Sequence, residues 1–198
     1  MNFLLEMTRR HDIELHLKRL ADGVRGYSVP ERTIVIDRDL SEERMNWTFC
    51  HELAHLLLKH GSAERPVSAQ DEKEAHELAQ NLLLPPETFR DDAHRFSLPE
   101  LKAHYPHASW EVIARTRVRY RPAILTIFDN GRRTLRMAPA PINCPTRLHP
   151  LEKAIKQTLE SGEATAELRD DGMHVEGVFV DEGRDIRRII LIAESEES

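Results

Sequence analysis

The residues best placed to do chemistry together in this 198-residue chain are His51-Glu52-Leu53-Ala54-His55. At the helical period of 3.6, positions i and i+4 share a face, so both imidazoles can reach one cation while Glu52 stands within reach of a water that the cation polarises. That is the chemistry of a zinc hydrolase. A pattern this short also arises by chance, so its surroundings have to carry weight. Cys50, Leu53, Ala54 and Leu57 set an apolar face beside the pair, which places His51 and His55 at the border of a core. A buried, hydrogen-bonded pair of histidines is the plain structural alternative.

Catalytic zinc takes three protein ligands and keeps a fourth position open, and the third ligand is commonly a carboxylate. A second helical pattern supplies acids, Glu72, Glu74 and Glu77, beside an apolar stripe of Ala75, Leu78, Ala79 and Leu82. Glu77 points about opposite the stripe, whereas Glu72 and Glu74 flank it on opposite sides. Periodicity does not choose between those two.

Several elements must position these residues. A β-branched run over 32–37 (RTIVID) predicts a strand. Ser41 followed by Glu42 and Glu43 predicts a helix start, with the helix running to about His60 and stopped by Gly61. Ser68 with Asp71 three residues on opens the second helix, which must end before Pro85 and Pro86. Short helices are expected over 98–104 and 109–117, then a hairpin of strands 123–128 and 134–137 across Asp129, Asn130 and Gly131. Four prolines within 138–150 read as a linker. Beyond it one helix, 151–159, precedes three strands, 165–169, 174–180 and 188–193, with turns at Asp171-Gly172 and Glu182-Gly183. The expected domains are therefore a main domain over 1–137, the linker, and a separate small αβββ unit over 151–198.

Composition bounds the function classes. With 40% hydrophobic and 31% charged residues the chain is a folding, globular sequence, and no run approaches the roughly 18–20 apolar residues of a membrane helix. The apolar start, broken by Glu6 and followed by Arg9 and Arg10, has the wrong order for a signal peptide, and Cys50 and Cys144 make no disulfide framework. A cytoplasmic protein with free thiols is expected. Net charge is −6, which argues against a whole-chain polyanion binder.

Four segments, ERTIVIDRDLSEER, NWTFCHELAHLLLKH, EKEAHELAQNLLLPPETF and SWEVIARTRV, together resemble the ImmA/IrrE family of zinc-dependent metallopeptidases, over roughly residues 30–128. The resemblance implies an α+β, zincin-like core in which a small mixed sheet carries the two metal-bearing helices, followed by a helical segment over about 98–120. It implies one Zn2+ in a gluzincin-like His-His-Glu site of His51, His55 and Glu74, because the family's ligand glutamate immediately precedes the alanine matched here by Ala75. Glu52 is then the base that takes a proton from water and hands it to the leaving amine. His76 stands where the family has asparagine, as a hydrogen-bond donor to the reacting carbonyl, a substitute ligand or a surface residue. Family members act on helix-turn-helix repressors, so the implied substrate is a regulatory protein, in transcription or stress control.

Two further groups bear on partners. Thr33, Val35 and Asp37 lie on the strand that could serve as a sheet edge for an extended substrate, an internal strand being the equal alternative. Arg115, Arg117, Arg119 and Arg121 alternate, so in an extended conformation they would form one basic stripe for nucleic acid or an acidic partner, whereas a solvated charged face on a helix end leading into Pro122 is the reading the net charge favours. On that stripe rests the second function class, a nucleic-acid- or protein-binding regulator with a vestigial protease core. The αβββ unit, small for independent stability, suggests docking or a homodimer. Trp47 and Trp110 read as core residues, and His60 as a surface or structural one.

Overall fold

Residues 2–29, 32–60, 66–170, 172–183 and 186–195 are described in the computed structural model, and they divide into two units. Gly61, Asp171 and the acidic end at 196–198 lie outside the described residues. The mixed α+β class is as expected.

The first unit comprises Met1–Pro86 and Tyr105–Ser109. In chain order it contains helix α1 (Asn2–His11), strands β1 (Glu14–Lys18), β2 (Gly26–Val29) and β3 (Thr33–Asp37), then helices α2 (Glu42–Leu58) and α3 (Ala69–Leu83). The sheet has the order β1-β3-β2, with β1 parallel and β2 antiparallel to β3. Ile34 and Ile36 of β3 and Phe49, Cys50 and Leu53 of α2 are wholly buried, each large aliphatic contributing about 1.5–3 kcal/mol. Gly26 governs how closely α2 approaches the sheet. A Cβ there would stand 2.6 Å from Thr48 Cγ2 and 2.9 Å from the Val35 carbonyl oxygen, so only glycine lets the helix lie against β2. Thr48 is one turn before Glu52, and the same close approach brings Glu52 to the strand. Ser41 occupies the α2 N-cap without a side-chain capping bond, and Lys59 closes the helix in the left-handed region at φ 55°. Ser68 and Asp71 form the expected capping box of α3, with Asp71 N donating to Ser68 Oγ and Ser68 N to Asp71 Oδ2.

The second unit comprises Glu87–His104 and Trp110–Ser198. Helices α4 (Pro86–Arg95), α5 (Leu98–His104) and α6 (Trp110–Tyr120) precede strands β4 (Ile124–Asp129) and β5 (Arg132–Met137), helix α7 (Pro150–Glu160), and strands β6 (Thr165–Asp170), β7 (Met173–Asp181) and β8 (Arg187–Ser195). The five strands form one antiparallel sheet in the order β5-β4-β8-β7-β6. Helix α7 packs on it through Ile155 and Leu159, over Gly177, where a Cβ would meet Ile155 Cγ2 at 2.7 Å.

This topology draws the boundary elsewhere than the linker expected at 138–150. Strand β8 lies between β4 and β7, so the strands of the expected C-terminal unit share one sheet with the hairpin that precedes the prolines. The proline-rich segment is itself packed. Arg133 donates to the Thr146 carbonyl and Arg136 to the Pro145 carbonyl, while Arg136 also pairs with the buried Glu152 of α7. Prolines exclude regular structure, yet their carbonyls accept hydrogen bonds. Among the described residues no helix is long and apolar enough to cross a membrane.

Candidate metal centre

The site is built in the first unit from α2, α3 and the β2 edge. His51 and His55, one turn apart on α2, turn the same ring nitrogen toward each other, with Nε2 to Nε2 at 3.2 Å. From α3, Glu72 Oε2 stands 3.3 Å from His51 Nε2 and Glu72 Oε1 stands 3.7 Å from His55 Nε2. Donors at about 2.0–2.2 Å from a tetrahedral zinc are separated by about 3.3–3.6 Å. The three edges, 3.2, 3.3 and 3.7 Å, lie within about 0.1 Å of that range, so the donor set fits zinc both in kind and in spacing.

Glu74, the carboxylate expected here, faces the other way. Its Oε2 lies 3.5 Å from His60 Nε2, in a second cluster with Asp71. Residues two positions apart in sequence lie about 200° apart around a helix, so Glu72 and Glu74 cannot face the same histidine pair, and the packing of α3 on α2 turns Glu72 inward.

Burial lowers the pKa of His51, with His55 and His76 adding to that shift and Glu72 opposing it. A neutral imidazole is what a cation requires of its ligand. Its Nδ1 is buried without a hydrogen-bond partner among the described residues. For Glu52 burial is the largest effect and raises the pKa, and hydrogen bonds from the Ser28 hydroxyl and backbone N–H partly offset it. His76 is exposed on α3 and borders the site, its ring 4.9 Å from that of His51 and 5.3 Å from that of half-buried Trp47. Trp110 is likewise half-buried, so neither tryptophan is a fully enclosed core residue. Cys50, next to His51, is wholly buried and its thiol is pushed far up by burial, which makes it a packing residue.

Thr33, Val35 and Asp37 do not lie on a sheet edge. Strand β3 is paired on both sides and has no free backbone for an added strand. The edge bordering the site is β2, and Ser28 on it was not singled out by sequence because a four-residue strand (GYSV) carries little signal. The four arginines do not form a stripe either. They lie on or just after helix α6, where alternate residues point to different faces. Arg117 is buried between Glu176 and Glu194, Arg121 pairs with Glu194, and Arg115 pairs with Glu111.

Two histidines on one helix and an acid from the next, a group that could hold a metal ion, stand beside a mixed sheet, which is the arrangement of a zincin-like core. The chain belongs to the peptidase M78 family, whose IrrE N-terminal-like domain matches residues 7–117. No curated protein matches the sequence. Among solved structures, a Mycobacterium tuberculosis transcriptional regulator is similar in fold, with a TM-score of 0.66 and 14% identity over 98% of this chain and 80% of that one.

Proposed function

We propose that this chain is a zinc-dependent endopeptidase that cuts a regulatory protein, with His51, His55 and Glu72 holding the metal and Glu52 moving the proton. The observation that carries the reading is the convergence of two Nε2 atoms and one carboxylate at tetrahedral spacing. A zinc ion bound there supplies Lewis-acid polarisation of the scissile carbonyl and the attacking water. Glu52 takes the proton that the water loses and passes it to the leaving amine, so hydrolysis needs no covalent intermediate. Its raised pKa suits both halves of that task, and the Ser28 donors on β2 oppose that rise. Register with β3 turns alternate backbone groups of β2 to the free edge, where an extended peptide can add as a strand. The exposed side chains of Tyr27 and Val29 flank Ser28 along this strand. In this reading His76, at the rim with its ring 4.9 Å from that of His51, is a candidate donor to the reacting carbonyl, its exposure also suiting a plain surface residue.

The substrate class we favour is a helix-turn-helix repressor, on the strength of the family resemblance. Co-expression with a repressor encoded nearby, for the wild type and for Glu52→Gln, tests the reading. Cleavage by the first and not the second supports it. A purified protein that holds no zinc and cleaves nothing would leave the alternative, a binding regulator on a vestigial core.

A further inference from the structure

We infer that His60 is a positioning residue of the metal site, acting through His55; the inference rests on the zinc reading above. His60 follows the C-terminus of α2, and its side chain is only 7% exposed. Its Nδ1 lies 3.3 Å from His55 Nδ1, on the side of that ring away from the metal. Its Nε2 faces Asp71 Oδ1 at 3.6 Å and Glu74 Oε2 at 3.5 Å. Asp71 is itself held, since its other oxygen caps α3 through Ser68 N at 2.8 Å.

Counting ring protons decides what this chain of contacts does. A neutral imidazole carries one proton, and the Nδ1···Nδ1 contact can hold only one. When His55 gives Nε2 to the metal, its proton sits on Nδ1 and is donated to His60 Nδ1. His60 then carries its own proton on Nε2, facing the two carboxylates. The opposite assignment would free His60 Nε2 to bind a cation with Asp71 and Glu74, but it would leave His55 protonated on Nε2 and unable to serve the first cluster. The two clusters are therefore alternatives and not a pair of sites. Zinc prefers the one with two imidazoles, and His60 with its carboxylates becomes the support that sets the His55 tautomer and ring angle. Among the described residues His51 Nδ1 has no such support, so His55 is the anchored ligand.

The test uses the full chain and reads zinc affinity by competition with a chromophoric chelator, and His55 protonation by long-range 1H–15N NMR of the zinc-loaded protein. One zinc per chain is expected, with His55 bound through Nε2 and protonated on Nδ1. His60→Phe, which keeps a ring and loses the acceptor, should weaken zinc binding about 10- to 100-fold. His60→Asn, which can place an oxygen where Nδ1 stands, should restore most of that loss. Unchanged affinity in folded His60→Phe overturns the inference, as does His55 protonated on Nε2. Two zinc ions per chain, one of them lost in His60→Phe, would make His60 a ligand and overturn it as well. If His60→Phe does not fold, the tautomer measured in the unaltered protein decides. Absence of zinc binding by the wild type is a separate outcome, which removes the peptidase reading along with this one.

Discussion

Ser28 on β2 presents two donors to Glu52 on α2, its hydroxyl and its backbone N–H, and each acts on the pKa of the carboxyl. Both donors favour the charged form and pull the Glu52 pKa down, against the larger upward push of burial. Glu52 must be ionised to accept a proton, so activity falls as pH drops through its raised pKa. The acidic limb of kcat/KM should therefore lie above the usual glutamate value of about 4.3. Ser28→Ala removes the hydroxyl bond and should move that limb further up, while a limb that stays in place would remove Ser28 from the mechanism.

Glu52→Gln should keep zinc at wild-type stoichiometry, since Glu52 is not among the three converging donors. Cleavage should fall by about 10²-fold or more, the size of a lost general base. Metal analysis and a cleavage time course on the same preparation check both halves.

Replacing Glu72 by alanine should weaken zinc binding more than replacing Glu74, because only Glu72 reaches both Nε2 atoms. Chelator competition on the two variants ranks them. The reverse order would favour Glu74 as the third ligand, as the family resemblance implies.

In the second unit Arg117 is 1% exposed between Glu176 and Glu194, and Glu176 also accepts the Leu98 N–H at 2.9 Å. Arg117→Ala leaves two carboxylates buried without their main counter-charge and should cost about 3–5 kcal/mol. Chemical denaturation measures it. A loss below 1 kcal/mol would mean that water or Arg121 takes over the charge.

Ending the chain after Ala140 removes β6, β7, β8 and α7, and so strips β4 of the strand that covers Leu125 and Ile127. Such a fragment should aggregate or be digested rapidly beyond residue 87, as limited proteolysis with mass spectrometry would show. A soluble, protease-resistant fragment 1–140 would restore a boundary at the prolines.

Local chemistry made much of this protein legible from its sequence. The His-Glu-x-x-His helix, the Ser68–Asp71 capping box and the Asn130-Gly131 hairpin depend on spacings of two to five residues, which are written along the chain. The β-branched run of β3 marked a strand, while its place between β1 and β2 was left open by sequence and set by the sheet.

What tertiary structure decided is everything that turns on which of two faces meets a neighbour. Glu72 and Glu74 flank the same apolar stripe, and only the packing of α3 against α2 turns one toward the histidines. Arg115 to Arg121 read as a stripe if extended and as scattered residues if helical, and burial of Ile113, Ala114 and Val118 made the segment a helix. Strand β8 reaches β4 across more than fifty residues, a pairing that no local signal encodes, because register between distant strands is set by the core they jointly bury. His60 stood outside any ligand spacing, and only the end of α2 meeting the start of α3 set it between His55 and two carboxylates.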